Sequence, residues 1–389
     1  MKKKVCIVTG TRAEYGLLRP LINKLKIDNE LQLYLIATGM HLSPEFGYTY
    51  KEIEKDGNTI DEKIEILLSS DTTIGISKSM GLAIISFSEC FERIKPDLLI
   101  VLGDRYETFS AVSAATVSKI PVAHIHGGET TEGAFDESFR HCITKMSQIH
   151  FTSTEEYRRR VIQLGEEPLM VFNVGAVGIE SIKELELLSK ESLESEIDFK
   201  FGDRNALITF HPVTLEEDTA EMQFNNLLNA IDRFENLKII FTKSNSDTNG
   251  RIINKLIDDY VLSHKLKSKA FSSLGQLRYL STLKIVDVVI GNSSSGIIEA
   301  PIFCVPTVNI GDRQKGRIHV ESIINCKPET YEIYESIKKA LSKEFHDNIE
   351  GLINPYGDGN VTEKIIYNIK ENLNQGINLK KVFYDIKGI

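Results

Sequence analysis

Leu98-Leu99-Ile100-Val101-Leu102 is apolar at five consecutive positions, and Gly103-Asp104-Arg105 ends the run abruptly. A strand with one wet face alternates apolar and polar side chains. A strand apolar throughout is covered on both faces, the condition of a parallel sheet between layers of helices. Similar runs occur near 4–9, 31–37 and 121–126, and a helical spacing of apolar residues near 13–26 separates the first two. This βαβ rhythm predicts a doubly wound α/β sheet. The rhythm restarts after Gly175, with apolar runs at Ala206 to Phe210, Lys238 to Thr242, Ile285 to Ile290 and Pro306 to Ile310. At 389 residues the chain exceeds the ~100–200 usual for one domain, so two such domains are expected, with a boundary near 175. Between them, Glu184 to Asp203 is charged and reads as a helix and linker. Turn formers from Asn354 to Asn360 precede a last helical pattern from about Thr362 to Leu373.

The net charge of -9 arises from 46 basic and 55 acidic residues mixed along the chain, which gives no basic field for a nucleic-acid backbone. A small anion held by a few local arginines is compatible with that balance. Cys6, Cys90, Cys142, Cys304 and Cys326 are scattered and odd in number, as expected of free thiols rather than of a zinc or redox site. Met1-Lys2-Lys3-Lys4 runs directly into a strand-like segment, and no uninterrupted apolar stretch reaches the ~18–20 residues of a membrane span. The expectation is a cytoplasmic protein with no membrane partner.

Ligands of open α/β sheets bind at the carboxyl ends of the strands, where loops and helix N-termini present polar groups. Thr9-Gly10-Thr11-Arg12, Gly103-Asp104-Arg105 and His126-Gly127-Gly128-Glu129 all follow expected strands. In the second half, Gly291-Asn292-Ser293-Ser294-Ser295-Gly296 lies between a strand and a helix expected from about Ile297, and reads as an anion cradle. A serine-rich helix cap without ligand is the alternative for that segment. Glu299, a turn further on, could accept hydrogen bonds from ribose hydroxyls. Arg12, Arg105, Arg313 and Arg317, with His211, are candidates for contacts to a diphosphate. Asp104, Glu129 and Asp136, with His126 and His141 nearby, are the acid/base candidates. Asp136 could equally open a helix over 136–147, where acids favour the positive end of the dipole. His124 and His126 alternate as if on one strand face, but without a third ligand at a telling spacing no metal is expected.

In order along the chain, these motifs are Thr9-Gly10-Thr11-Arg12-Ala13-Glu14-Tyr15-Gly16, Thr38-Gly39-Met40-His41, Gly103-Asp104-Arg105-Tyr106-Glu107 and His124-Ile125-His126-Gly127-Gly128-Glu129. Asp136-Glu137-Ser138-Phe139-Arg140-His141, His211-Pro212-Val213-Thr214, Gly291-Asn292-Ser293-Ser294 with Glu299, and Gly311-Asp312-Arg313-Gln314 continue the series. Together they resemble the hydrolysing UDP-N-acetylglucosamine 2-epimerases of bacterial sialic-acid biosynthesis, relatives of the epimerase half of the animal bifunctional epimerase/kinase. The resemblance implies two Rossmann-like domains facing across a cleft, the glycosyltransferase B-type arrangement. The first, 1–175, would be rejoined by a C-terminal helix at about 362–389; the second, 176–361, would bind UDP.

On the family pattern Arg12, Arg105, His211, Ser293, Ser294, Glu299 and Arg313 match nucleotide-contacting positions, and Asp104, Glu129 and Asp136 match acid/base positions. His126 stands beside them, where animal members have glutamate, and His41 and Arg140 fall in motifs on the sugar side. The implied reaction is anti elimination of UDP to a 2-acetamidoglucal, then hydration, giving N-acetylmannosamine without cofactor or metal in a homodimer or homotetramer. The alternative is the same chemistry on a UDP-linked diacetamido-trideoxy sugar or a GDP-linked sugar, as in legionaminic-acid pathways. A B-type glycosyltransferase shares the fold, and the carboxylates of the first domain favour the epimerase over it.

Overall fold

Every strand that pairs does so in parallel, and the order in which strands pair sets where a ligand can be reached. The structure, a computed structural model, describes residues 2–68, 72–131, 134–213, 219–244, 250–352, 354–357 and 359–386. Among the described residues one sheet contains β1 (Lys3–Thr9), β2 (Leu31–Thr38), β3 (Glu62–Ile64), β4 (Leu98–Leu102), β5 (Val122–Ile125), β6 (Ile149–Thr152) and β7 (Val171–Asn173). Its order is β3-β2-β1-β4-β5-β6-β7. The other contains β8 (Arg204–Thr209), β9 (Leu237–Thr242), β10 (Ser268–Phe271), β11 (Val288–Gly291), β12 (Thr307–Ile310) and β13 (Ile323–Cys326), in the order β10-β9-β8-β11-β12-β13. Each sheet thus reverses direction once, between β1 and β4 and between β8 and β11. At such a switch point the crossovers leave to opposite sides and open a crevice beyond the strand ends. These are two Rossmann-like units of the glycosyltransferase B-type class.

The chain divides into one unit of Met1–Glu129, Asp136–Lys183 and Tyr356–Ile389 and another of Thr130–Phe135 and Glu184–Pro355. The chain passes from the first unit to the second between Lys183 and Glu184, at the end of the helix Val177–Glu184. In the first unit β4 is buried at all five positions, as its unbroken apolar run requires. Leu18, Leu21, Ile22 and Leu25 of the helix Arg12–Lys26 pack on the same core, and so do Val361, Ile365, Ile369 and Leu373 of the last helix, Val361–Gln375. Glu180 receives the Thr362 backbone N–H at 2.6 Å and the Lys24 ammonium at 3.2 Å, which anchors the start of that last helix. The second unit has its own core, built by Ile208, Phe224, Leu227, Ile239, Ile253 and Ile290 among others.

Two expectations are corrected. The apolar run Ile285 to Ile290 is split between the end of the helix Gly275–Ile285 and β11, because periodicity alone cannot separate a helix end from a short buried strand. The helix Thr73–Ile94, with 22 residues and a mean hydropathy of 1.2 over its most apolar window, is long and apolar enough to cross a membrane by length and composition. Lys78, Gly81 and several serines break its sequence into short runs, so it was not apparent as one stretch. Its Ile76, Ala83, Phe87, Cys90 and Phe91 are buried on one face, while Ile74, Leu82, Ile84 and Ile85 are exposed.

Gly291 shows how tightly the second switch point is built. Its φ is +135°, and a Cβ there would stand 1.9 Å from the Thr209 carbonyl oxygen on β8. Gly311, at φ +73°, has open space around its missing Cβ. Gly291→Ala should therefore cost about 2–6 kcal/mol through strain plus overlap, and Gly311→Ala only about 1–2 kcal/mol. Urea unfolding of both variants checks this; equal midpoints would contradict the close approach at β8 and β11.

Candidate active site

The first unit gathers its candidates at the ends of β1, β4 and β5. Thr11 caps the helix Arg12–Lys26 in a capping box: its hydroxyl accepts the Glu14 N–H at 3.3 Å, and the Glu14 carboxylate accepts the Thr11 N–H at 3.2 Å. Glu14 also takes the Gly10 N–H at 2.7 Å and the Thr108 hydroxyl at 3.3 Å, so a buried carboxylate ties the β1 loop to the helix that follows β4. Arg12 is half-buried at the first position of the capped helix. Arg105 is paired through Nε and Nη2 with Glu107, at 3.2 and 3.3 Å, and Glu107 is buried.

His41, expected on the sugar, is fully buried. Its two ring nitrogens meet the hydroxyls of Thr9 at 3.0 Å and Thr49 at 2.9 Å, and burial lowers its pKa to about 3. The structure makes it a neutral core residue that holds β1 to the turn after β2.

A connected polar network joins the acid/base candidates. Arg140, on the helix Asp136–Met146, has a side chain only 2% exposed; its Nη2 is paired with Asp104 and its Nη1 donates to the His126 carbonyl at 3.1 Å. Asp136 lies one turn earlier on the same helix, at its first residue. The Asp104 side chain keeps an exposure of 19%. His126 is one of few non-glycine residues at positive φ, +67°, and β5 has ended at Ile125. His124 and His126 therefore do not share a strand face as expected. His124 is buried, its Nε2 2.8 Å from the Gly103 carbonyl and its Nδ1 3.1 Å from the Thr144 hydroxyl. Among the described residues no group of three or more His, Cys, Asp or Glu side chains could hold a metal ion.

The Val177 backbone N–H donates to His126 Nε2 at 3.3 Å, so that nitrogen carries its lone pair. The ring hydrogen is then on Nδ1, which stands 3.3 Å from Glu129 Oε1. Ser153 donates to the same oxygen at 2.8 Å. Glu129 is buried, whereas Asp104 keeps an accessible edge. The turn between them needs glycine: at Gly128, φ +79°, a Cβ would come within 2.5 Å of the Tyr157 carbonyl.

The second unit holds the remaining candidates at the ends of β8, β11 and β12. Asn292 is buried and clamps the neighbouring loop: its side-chain oxygen accepts the His211 N–H at 2.7 Å, and its amide donates to the His211 carbonyl at 2.8 Å. The Asn292 carbonyl in turn accepts from Arg313 Nη1 at 3.1 Å and from the Gln314 amide at 2.8 Å. One asparagine thus joins three loops that sequence alone leaves separate. His211 Nδ1 is 3.3 Å from the Ser244 hydroxyl. Thr214, the last residue of the His211 motif, lies outside the described residues. Arg317 donates through Nε to the Thr130 carbonyl at 2.8 Å within this same unit.

The serine loop differs from the expected cradle in one respect. Ser293 is the N-cap, and the helix runs only Ser294–Ile298, so it begins three residues earlier than Ile297 and ends at Glu299. Ser295 donates to the Glu299 carboxylate, and Tyr279 donates to Ser295 at 2.7 Å. Burial raises the Glu299 carboxyl to about 7, against the lowering effect of Ser295. Ser293 and Ser294 are half-buried at the mouth of this turn.

Glu14 and Glu107 were passed over as site residues. The Thr11-x-x-Glu14 spacing is a capping-box signature and could have marked Glu14. Burial, with Glu107 acting in the same direction, raises the Glu14 carboxyl from 4.5 to about 7, although the Gly10 N–H and Arg105 oppose the shift. The folded state then binds this proton more tightly than the unfolded chain. The contribution to stability is full below pH 4.5 and is lost as pH rises through about 7. Glu14→Gln, which keeps an acceptor for Gly10 and Thr11, should flatten the fall in Tm between pH 4.5 and 7 relative to wild type. Identical pH profiles in calorimetry would contradict the buried proton.

With both sites in view, comparison with known proteins is informative. Residues 23–370 match the family model for UDP-N-acetylglucosamine 2-epimerase. The chain is 46% identical over 99% of its length, and 100% of the relative's, to the GDP/UDP-N,N'-diacetylbacillosamine 2-epimerase (hydrolyzing) of Campylobacter jejuni. It is 40% identical to the polysialic acid biosynthesis protein P7 of Escherichia coli, covering 99% of this chain and 98% of that one. It is 35% identical to the UDP-N,N'-diacetylbacillosamine 2-epimerase (hydrolyzing) of Legionella pneumophila, covering 94% of each. The crystal structure of the Neisseria meningitidis UDP-GlcNAc 2-epimerase bound to UDP-GlcNAc shares the fold, with a TM-score of 0.79 over 95% of this chain and 100% of that one at 22% identity. The chain belongs to the hydrolysing UDP-N-acetylglucosamine 2-epimerase family.

Proposed function

We propose that this protein is a hydrolysing 2-epimerase of nucleotide-linked N,N'-diacetylbacillosamine, releasing the free 2-epimer of the sugar and the nucleoside diphosphate. The observation that carries the choice of sugar is the full-length, 46% identity to the Campylobacter enzyme of that name, with the Legionella relative as a second instance. UDP-N-acetylglucosamine, the substrate first expected, becomes the second reading; the description of the matched family model, UDP-N-acetylglucosamine 2-epimerase, favours it.

In this reading Asp104 removes or returns the proton at carbon 2, because its carboxylate is accessible at one edge and oriented by Arg140 from the other. Asp136, a turn from Arg140, serves the opposite step. Glu129 is enclosed, and it acts through His126 by holding the ring in the Nδ1–H form. His211, Ser293, Ser294, Glu299 and Arg313 receive the nucleotide, and Arg12 assists departure of its diphosphate. Arg105, held in place by Glu107 at the β4 loop, stands with Arg12 for the diphosphate. Bond cleavage at carbon 1 expels the diphosphate as the carbon 2 proton leaves, and water then adds to the glycal at carbon 1 while carbon 2 is reprotonated from the other face. Neither step needs an electron acceptor.

Incubating the protein with UDP-N,N'-diacetylbacillosamine, its GDP analogue and UDP-N-acetylglucosamine in parallel, with NMR identification of the free sugar, tests the reading. The diacetamido substrates should win by at least tenfold in kcat/KM, on the order of 1.4 kcal/mol. Faster turnover of UDP-N-acetylglucosamine would establish the second reading instead. Asp104→Asn keeps an acceptor for Arg140 but loses the basic carboxylate. It should lower kcat by about 10²–10⁴ with UDP affinity retained in calorimetry; wild-type turnover would remove Asp104 from the chemistry.

A further inference from the structure

Among the described residues beyond Gln375 there is no helix or strand, yet one side chain turns inward. The Lys381 ammonium donates to the carbonyls of Lys145 at 2.7 Å, Ser147 at 2.6 Å and Thr144 at 3.3 Å, and lies 2.5 Å from Glu166 Oε2. Those carbonyls belong to the final turn of the helix Asp136–Met146 and the residue just past it. A helix C-terminus leaves its last carbonyls unpaired and carries the negative end of the dipole, so a lysine there both donates to and neutralises it. Here the lysine comes from more than two hundred residues away.

The same lysine reaches the other half of the acid/base pair. Glu166 is buried and also receives Lys145 Nζ at 2.6 Å, with His150 Nε2 at 2.9 Å. Thr144, whose carbonyl meets Lys381, also contacts His124 through its hydroxyl at 3.1 Å, and His124 holds the Gly103 carbonyl beside Asp104 at 2.8 Å. One end of this chain is thus the helix that carries Asp136 and Arg140, and the other is the turn that carries Asp104. Further along the tail, Tyr384 donates its N–H to the Gly165 carbonyl at 2.9 Å. The Phe383 ring lies so close to Gly165 that a Cβ there would come within 2.3 Å of it.

We infer that Lys381 is a positioning residue for the Asp104–Arg140 pair: the tail sets the pose of the helix and of the β4 turn together. This rests on the reading in which that pair acts on the sugar. The test uses the full chain and the preferred sugar nucleotide, with kcat, KM, UDP affinity and binding stoichiometry measured for Lys381→Met, Lys381→Arg and Thr144→Val. A small misplacement of reacting groups costs up to about a hundredfold, so Lys381→Met should lower kcat per UDP-binding site by about ten- to a hundredfold. KM and UDP affinity should stay within about twofold, a margin of roughly 0.4 kcal/mol. Lys381→Arg, which keeps the charge and the donors, should recover most of the rate. Thr144→Val, which leaves the tail untouched, should reproduce the loss in kcat and serves if Lys381→Met does not fold. Full kcat in a folded Lys381→Met, full kcat in Thr144→Val, a loss that merely follows the fraction of chains binding UDP, or no recovery with arginine would each overturn the inference alone. A wild-type protein inactive on every sugar nucleotide would overturn the underlying reading and the inference with it.

Discussion

Arg140 is the charge around which the first unit's site is arranged. A guanidinium this deeply buried needs a carboxylate beside it and acceptors for its N–H groups to offset the cost of leaving water. Asp104 supplies the charge and the His126 carbonyl one of the acceptors. That carbonyl is available because the chain turns into the left-handed region at His126 and continues through two glycines. The ends of β4 and β5 and the helix Asp136–Met146 are thereby tied to one cation, and the candidate carboxylates inherit their positions from it. The arrangement leaves Asp104 as the member with an accessible edge, which is what a proton-transfer group requires.

The second unit solves a different problem with the same strand order. Its organising residue, Asn292, is neutral, and it spends its amide on both backbone groups of His211 while its carbonyl collects Arg313 and Gln314. An uncharged clamp fixes the loops without competing for the charge of the nucleotide proposed to bind there. In the first unit, by contrast, Arg105 and Arg140 are already matched by Glu107 and Asp104.

The sequence made the switch points legible, because an unbroken apolar run such as Leu98 to Leu102 has no other stable place than a covered parallel strand. The loops following those runs were therefore locatable, and with them Asp104, Glu129, His211 and Ser293. Local chemistry that departs from periodicity was not. Nothing in the spacing of His124 and His126 reveals that the strand stops between them, since the left-handed turn depends on packing against Tyr157 and on the N–H of Val177. The serine segment has too few apolar residues to show where its short helix starts. His41 entered through the resemblance of its motif, and only the fold shows two threonines enclosing it. Lys381 illustrates the outer limit: a lysine in a tail of mixed apolar and charged residues carries no sign that it caps a helix far back in the chain.

Proton abstraction at carbon 2 is the event on which the roles of Asp104, Arg140, His126 and Glu129 depend, and turnover in deuterium oxide reports it directly. The released sugar should carry a single deuterium at carbon 2, because the proton removed from one face and the proton delivered to the other come from different groups in contact with solvent. A free sugar that retains its original hydrogen at carbon 2 throughout the reaction would contradict the elimination and the acid/base network built around Arg140.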